Sequence, residues 1–226
     1  ENGLGALDKE DIYECLTGYL KNEHPVPDNF REWIYHTFGD GIADKYLIPF
    51  NKKIWKFPLE KMGIEWVGRV PKPPVEDIIK SAVGIETEGY LHQLYFYYPA
   101  RGGLEGLIKA LVKESDRIST GFEIKKIQQK ERGWIVSNGN KKERFDKVVV
   151  AMPVQEAINC MEDVPPEVAN AGRGLRYNSV RVVLLGINNP SLIDKSAVYI
   201  PEPETVFHRI CFMGFFSKNM VPEGKS

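Results

Sequence analysis

Apolar residues near the start of the chain recur at intervals of three and four. Over residues 8–21, Ile12, Leu16, Tyr19 and Leu20 fall on one side of a helix, and Asp8 with Asp11 three positions on reads as its N-terminal cap. A second helix is predicted over 28–38, with Asp28 as cap, Phe30, Trp33, Ile34 and Phe38 as the buried stripe, and Gly39 as the stop. A third spans 42–47 and ends at Ile48-Pro49, because the residue before a proline is pushed out of the helical region. Residues 50–74 combine Pro58, Pro71, Pro73 and Pro74 with Trp55 and Trp66, which predicts short helices and turns packed on a core rather than a linker. One more short helix is expected over 75–83.

Further along, the spacing changes. Residues 90–98 are rich in strand-favouring aromatics and lead into Tyr98-Pro99-Ala100-Arg101-Gly102-Gly103. After that turn, Leu104, Leu107, Ile108, Leu111 and Val112 mark the buried face of a helix ending near Ser115. Three β segments are predicted at 121–129, 134–137 and 145–150, with Asn138-Gly139-Asn140 as a hairpin turn. The run Lys147-Val148-Val149-Val150-Ala151 does not alternate, which predicts a strand buried on both faces. Residues 177–188 read as a long strand, and 198–200 and 207–215 as two more separated by the turn 201–204. This mixture implies an α+β protein of two lobes, with the termini in one and the centre in the other.

The charges are balanced, 30 basic against 31 acidic for a formal net charge of −1, so no global field favours nucleic acid. Hydrophobic residues at 42% and charged residues at 27% are ordinary for a globular chain. The cysteines Cys15, Cys160 and Cys211 are widely spaced and odd in number, which fits a reducing compartment better than a disulfide framework. The apolar runs are far shorter than the roughly 18–20 residues of a membrane span. The chain begins at Glu1 and closes on Pro222-Glu223-Gly224-Lys225-Ser226, as an internal piece of a longer protein would.

His24, His36, His92 and His208 are scattered, and no His-x-x-x-His or carboxylate spacing suggests a metal site. Neither the serines nor the cysteines lie in a nucleophile signature. Gly3-Leu4-Gly5 has no preceding strand and reads as a loop. At Gly102-Gly103, paired glycines between a strand and a helix either let backbone N–H groups approach a ligand or simply make a tight turn. Trp55, Trp66 and the aromatics at 95–98 either line a pocket or fill a core. The Arg69 guanidinium either grips an anion or lies on the surface.

Four segments together resemble the flavin-dependent amine oxidase superfamily, which includes protoporphyrinogen oxidase-like and phytoene desaturase-like proteins and, more distantly, UDP-galactopyranose mutase. They are Phe38-Gly39-Asp40-Gly41-Ile42-Ala43 running into 46–55; Tyr98-Pro99-Ala100-Arg101-Gly102-Gly103-Leu104; Ile124-Lys125-Lys126-Ile127 through Phe145 to Pro153; and Tyr177-Asn178-Ser179-Val180-Arg181-Val182-Val183. The resemblance implies FAD as cofactor and an oxidoreductase that transfers hydride from a small-molecule substrate to the flavin. It implies a substrate lobe made of residues 1–97, mostly helical, and 161–226, with antiparallel strands. Residues 98–160 would then be a β excursion from a Rossmann-like FAD-binding lobe. Cofactor contacts are expected at Gly102, Gly103, Ile124, Ala151 and Pro153, and substrate-pocket positions at Trp55, Arg69, Tyr98 and Tyr177.

The N-terminal Gly-x-Gly-x-x-Gly element and the C-terminal glycine-acid segment of that superfamily are absent from these residues. The remaining N- and C-terminal parts of the same protein are therefore the expected partners. Alone, the chain is expected to be inactive and to hold FAD weakly or not at all. A cytoplasmic enzyme is expected, with no nucleic acid, no membrane span and no metal. Two alternatives share the fold: mutase chemistry on a nucleotide sugar, and a non-catalytic binding module without flavin.

Overall fold

In the computed structural model, which describes residues 3–85, 87, 96–115, 117–190 and 195–226, helix α1 spans Lys9–Leu20. Its cap is Asp8, which acts through its carbonyl, accepting from Ile12 N–H at 2.9 Å, and not through its carboxylate. Helix α2 runs Phe30–Ile42 and is capped by Asn29, whose Oδ1 accepts from Glu32 N–H at 3.1 Å. The expected cap, Asp28, instead donates its own N–H to the Glu32 carboxylate at 2.9 Å, completing a reciprocal box. Gly39 breaks the helix as expected, at φ +70°, but the chain resumes beyond the kink. Only glycine fits there, because a Cβ would press into the Gly18–Tyr19 peptide of α1.

One π-helical turn, Ala43–Leu47, follows and leads without interruption into α3, Ile48–Trp55. The predicted stop at Ile48-Pro49 is thus corrected to a helix start. Pro49 lies in the first turn, where its missing N–H costs nothing, and Ile48 keeps helical angles. Short 3₁₀ turns at Leu59–Lys61 and Val67–Arg69 and helix α4, Val75–Ala82, complete the helical part in agreement with the pattern.

The chain divides into two compact units, residues 1–108 with 183–226, and residues 109–182. In the first, Phe30, Trp33, Ile34, Phe38, Ala43, Ile48 and Leu59 form the main core. Complete burial of side chains such as Phe30, Ile34 and Leu59 contributes about 2 kcal/mol each. A second cluster, Leu4, Cys15, Ile78 and Ala82, joins α1 to α4. Strands β4 (Ala197–Tyr199) and β5 (Arg209–Cys211) form an antiparallel pair in this unit.

The second unit is built on the antiparallel sheet β1 (Lys126–Gln129), β2 (Trp134–Ser137) and β3 (Lys142–Phe145). Ile127 pairs with Val136, and both are buried. Asn138 Oδ1 accepts from the N–H groups of Asn140 (3.0 Å) and Lys141 (2.7 Å), which closes the predicted β2–β3 hairpin. Two helices that the apolar pattern does not announce, Val154–Cys160 and Pro166–Gly174, pack in the same unit. Proline precedes or opens each of them, a start signal legible in the sequence.

Several expectations are corrected. The last strand of the sheet is Lys142–Phe145, so the non-alternating run at 147–151 lies outside it, with Val149 and Val150 exposed. Residues 177–188 form no strand and are exposed; Ile187 exchanges backbone hydrogen bonds with Ser226 at 2.6 and 3.0 Å, too short a pairing to make a ladder. The expected strand at 207–215 shortens to β5 and then turns into a helix at Met213–Phe216. The predicted strand at 90–98 falls largely outside the described residues, and 96–98 are not in a sheet. Helix α5, Gly103–Lys113, forms where expected, but its apolar stripe Leu104, Leu107, Ile108, Leu111 and Val112 is 44–64% exposed. The expectation of a buried face is corrected: among the described residues nothing covers this stripe, and Gly103 is the one buried residue of the helix.

Candidate functional site

The glycine turn is the best-defined feature among the expected cofactor contacts. Gly102, immediately ahead of α5, and Gly103, its first residue, both have positive φ, +75° and +55°. Their surroundings differ. Gly102 is exposed, and a Cβ on it would come no closer than 3.5 Å to Gly106. Gly103 is buried, and a Cβ there would meet the Met220 thioether at 3.0–3.1 Å and the Tyr98 hydroxyl at 3.1 Å. Gly103 therefore serves packing, while the backbone at Gly102 is open to solvent. The first-turn N–H groups of a helix lack intrahelical acceptors, and an exposed turn ahead of them is a place where an anionic or carbonyl group can be received.

Sequence reasoning missed what braces this turn. The Ala100 carbonyl accepts from Ser217 Oγ at 2.7 Å and from Asn219 Nδ2 at 2.9 Å. Phe216 packs on Tyr98 with centroids 5.4 Å apart and on Phe96 at 5.8 Å. These contacts join residues more than a hundred positions apart, and no local signal announces them.

Of the expected pocket residues, Trp55 is half-buried, and its Nε1 donates to Asn51 Oδ1 at 3.1 Å. Asn51 Nδ2 in turn donates to the Leu47 carbonyl at 2.8 Å, so one α3 amide fixes the indole. The ring tilts against Trp66 at 5.4 Å, and Trp66 against Phe30 at 4.7 Å. Arg69 is exposed on the 3₁₀ turn that follows Trp66 and makes no ion pair among the described residues. Trp55, Arg69, Tyr98 and the glycine pair thus share the first unit.

Ile124, Ala151, Pro153 and Tyr177 belong to the second. Ile124 is half-buried, and its carbonyl accepts from Cys160 Sγ at 3.3 Å. Ala151 and Pro153 are exposed, and the Pro153 carbonyl accepts from Ala157 N–H at 3.0 Å. Tyr177 is exposed. A concavity of about 660 Å³ lined by Arg31, Lys52, Lys56, Phe57, Pro58, Leu59 and Glu60 contains none of the expected site residues.

Residues 75–226 match the family described as flavin containing amine oxidoreductase. The chain belongs to that family. The matched region includes the glycine turn, the second unit and the β4–β5 pair.

A crystal structure of reduced UDP-galactopyranose mutase has the same fold: TM-score 0.79 at 24% identity, over 97% of this chain and 50% of that one. The family chain described here therefore spans about half the length of that solved chain. Its architecture is α+β, helices with small antiparallel sheets. Among the described residues no helix is long and apolar enough to cross a membrane, and no group of three or more His, Cys, Asp or Glu could hold a metal ion.

Proposed function

We propose that residues 1–226 supply the substrate-facing lobe and one wall of the flavin site in an FAD-dependent oxidoreductase. The observation that carries this is the open, left-handed Gly102 at the N-terminus of α5, inside the region matching the family. When bound, FAD would supply the acceptor for a hydride taken from a C–H bond of a small molecule, including a C–H bond beside nitrogen. The chain's own part is to hold backbone donors at 102–105, to orient the substrate with Trp55, Arg69 and Tyr98, and to exclude water. Ile124, Ala151 and Pro153 serve the adenine end, and Tyr177 the substrate side. The exposed stripe on α5 and the half-length match to the mutase chain support a flavin lobe completed by residues beyond these. Three free cysteines support a reducing, cytoplasmic setting.

A second reading, rearrangement of a nucleotide sugar, draws on the likeness to the mutase. Product analysis separates the two: the oxidoreductase consumes a stoichiometric electron acceptor, and the mutase consumes none.

Fluorescence titration of the 226-residue chain with FAD tests the division of the site. The expected result is a colourless chain with at most weak binding, since the remaining contacts do not offset the roughly 4–15 kcal/mol of lost freedom on association. Saturable, stoichiometric binding at micromolar affinity would overturn it. A parent that purifies colourless and stays apo with added FAD would overturn the flavin reading itself and favour a binding module.

A further inference from the structure

The concavity of about 660 Å³ that holds none of the expected site residues is lined from the start of α2, the end of α3 and the chain that follows. The half-buried Phe57 and the exposed Pro58 supply its apolar surface. Around them stand Arg31, Lys52 and Lys56 with one acid, Glu60, a surplus of two positive charges in a chain whose formal net charge is −1. None of these four makes an ion pair among the described residues. Glu32, next to Arg31 in sequence, is committed to the Asp28 N–H.

Two of the three cations occupy positions that local energetics oppose. Arg31 is the second residue of α2, where the positive end of the helix dipole disfavours a cation. Tyr35 holds it there: the guanidinium lies 5.0 Å from the ring centroid, and Nη2 donates to the phenol oxygen at 3.5 Å. Lys56 ends α3 in the left-handed region, at φ +49° and ψ +32°, with its N–H on the Lys52 carbonyl at 3.1 Å. Glycine takes that conformation without steric cost and commonly ends helices in it, whereas lysine is strained. Among the described residues, Asp163 is the one other non-glycine with positive φ. The dipole of α3 accounts for a lysine in its last turn at Lys52, but neither for the strain at Lys56 nor for Arg31 at the opposite pole of another helix. Local rules are broken in this way where the side chain is used.

The walls at Arg31, Lys52, Lys56, Pro58 and Glu60 are exposed, so the concavity is a trough and not an enclosure of the kind that buries most of a small molecule. An extended segment of another protein fits such a trough, and the surplus of positive charge selects an acidic one. We propose that Arg31, Lys52 and Lys56 form a docking groove for an acidic peptide segment of a partner protein. The guanidinium fork takes one carboxylate in paired bonds, the two ammonium groups take others, and an apolar side chain between the acids rests against Phe57 and Pro58. The groove shares no residue with the positions assigned to flavin or substrate and does not rest on that assignment.

Fluorescence anisotropy of the 226-residue chain with a labelled Glu-Asp-Leu-Asp-Glu peptide tests the groove, against the uncharged Gln-Asn-Leu-Asn-Gln peptide and an oligothymidylate of equal charge. The expected result is that the acidic peptide binds about tenfold or more tighter than either. Lys56→Gly removes a charge and the backbone strain together, so it should weaken the acidic peptide about fivefold while raising the urea midpoint of the chain. A purely structural lysine would not move the two in opposite directions. Arg31→Gln should weaken the peptide about tenfold, and Lys130→Gln, exposed in the second unit, should leave it unchanged. An acidic peptide that binds no tighter than its amide counterpart or the oligothymidylate would overturn the proposal. So would a Lys56→Gly chain that binds like the unchanged one or unfolds at lower urea, and so would equal losses from Lys130→Gln and Arg31→Gln, the mark of a general charge effect.

Discussion

Met220 occupies the space beside Gly103: a Cβ on the glycine would stand 3.1 Å from the methionine Sδ. Gly102, its neighbour in sequence, faces nothing closer than Gly106 at 3.5 Å. Gly102→Ala should therefore cost about 1 kcal/mol, the strain of a left-handed alanine. Gly103→Val adds a displaced Met220 and Tyr98 and should cost roughly 2–3 kcal/mol. Urea denaturation compares them, and equal midpoints would remove the distinction between an open glycine and a packed one.

The α5 stripe is expected to be silent in the stability of this chain. Leu107→Gln with Leu111→Gln should shift unfolding by less than about 0.5 kcal/mol, whereas Ile127→Ala, which empties a fully buried site, should cost about 2–4 kcal/mol. The double change should also lower binding of a hydrophobic dye. A large loss of stability from it would mean that the chain covers its own stripe in solution.

Asn29 and Glu32 cap α2 reciprocally, so Asn29→Ala should cost about 1 kcal/mol while Asp28→Ala changes little. The Glu32 carboxylate accepts from Asp28 N–H and bonds with the Asn29 side chain, and both hold its pKa below the ordinary 4.5. A lowered acid pKa contributes stability that is present above that ordinary value and lost as pH falls through the folded one. Melting temperatures of the parent and Glu32→Gln should therefore converge as the solution is acidified below that range. A constant difference at all pH values would refute the cap.

Lys53 bridges positions 147 residues apart in the chain, from α3 to the Ile200 carbonyl. Lys53→Met keeps the stem and removes the donors, and it should cost about 1.5–3 kcal/mol if both charged bonds contribute. Amide exchange at Ala197–Tyr199 should accelerate while exchange in α2 stays the same. Uniform acceleration would show that Lys53 supports the whole unit rather than the hairpin.

Much of the local structure was legible because its causes are local. Gly39, Gly102 and Gly103 take positive φ in their turns, as glycine readily does, and Asn138-Gly139 closes a hairpin with bonds spanning two or three residues. The stripes read for α1 and α2 supply Ile12, Leu16 and Tyr19 to one core and Phe30, Trp33, Ile34 and Phe38 to the other. Asp28 and Asn29 are equivalent cap candidates in the sequence, because both residue types cap helices, and only the backbone angles choose Asn29.

What tertiary structure alone decided concerns neighbours. A strand is defined by the edge beside it: the apolar run at 147–151 joins no described sheet, and in 177–188 the pairing of Ile187 with Ser226 is too short to make a ladder. The α5 stripe has the period of a buried face but lies exposed, because periodicity specifies which side of a helix is apolar and not what covers it. Ser217 on Ala100, Lys53 on Ile200 and Arg209 over Tyr199 depend on how the chain returns to itself, and contacts between non-adjacent elements leave no trace in the spacing of either partner.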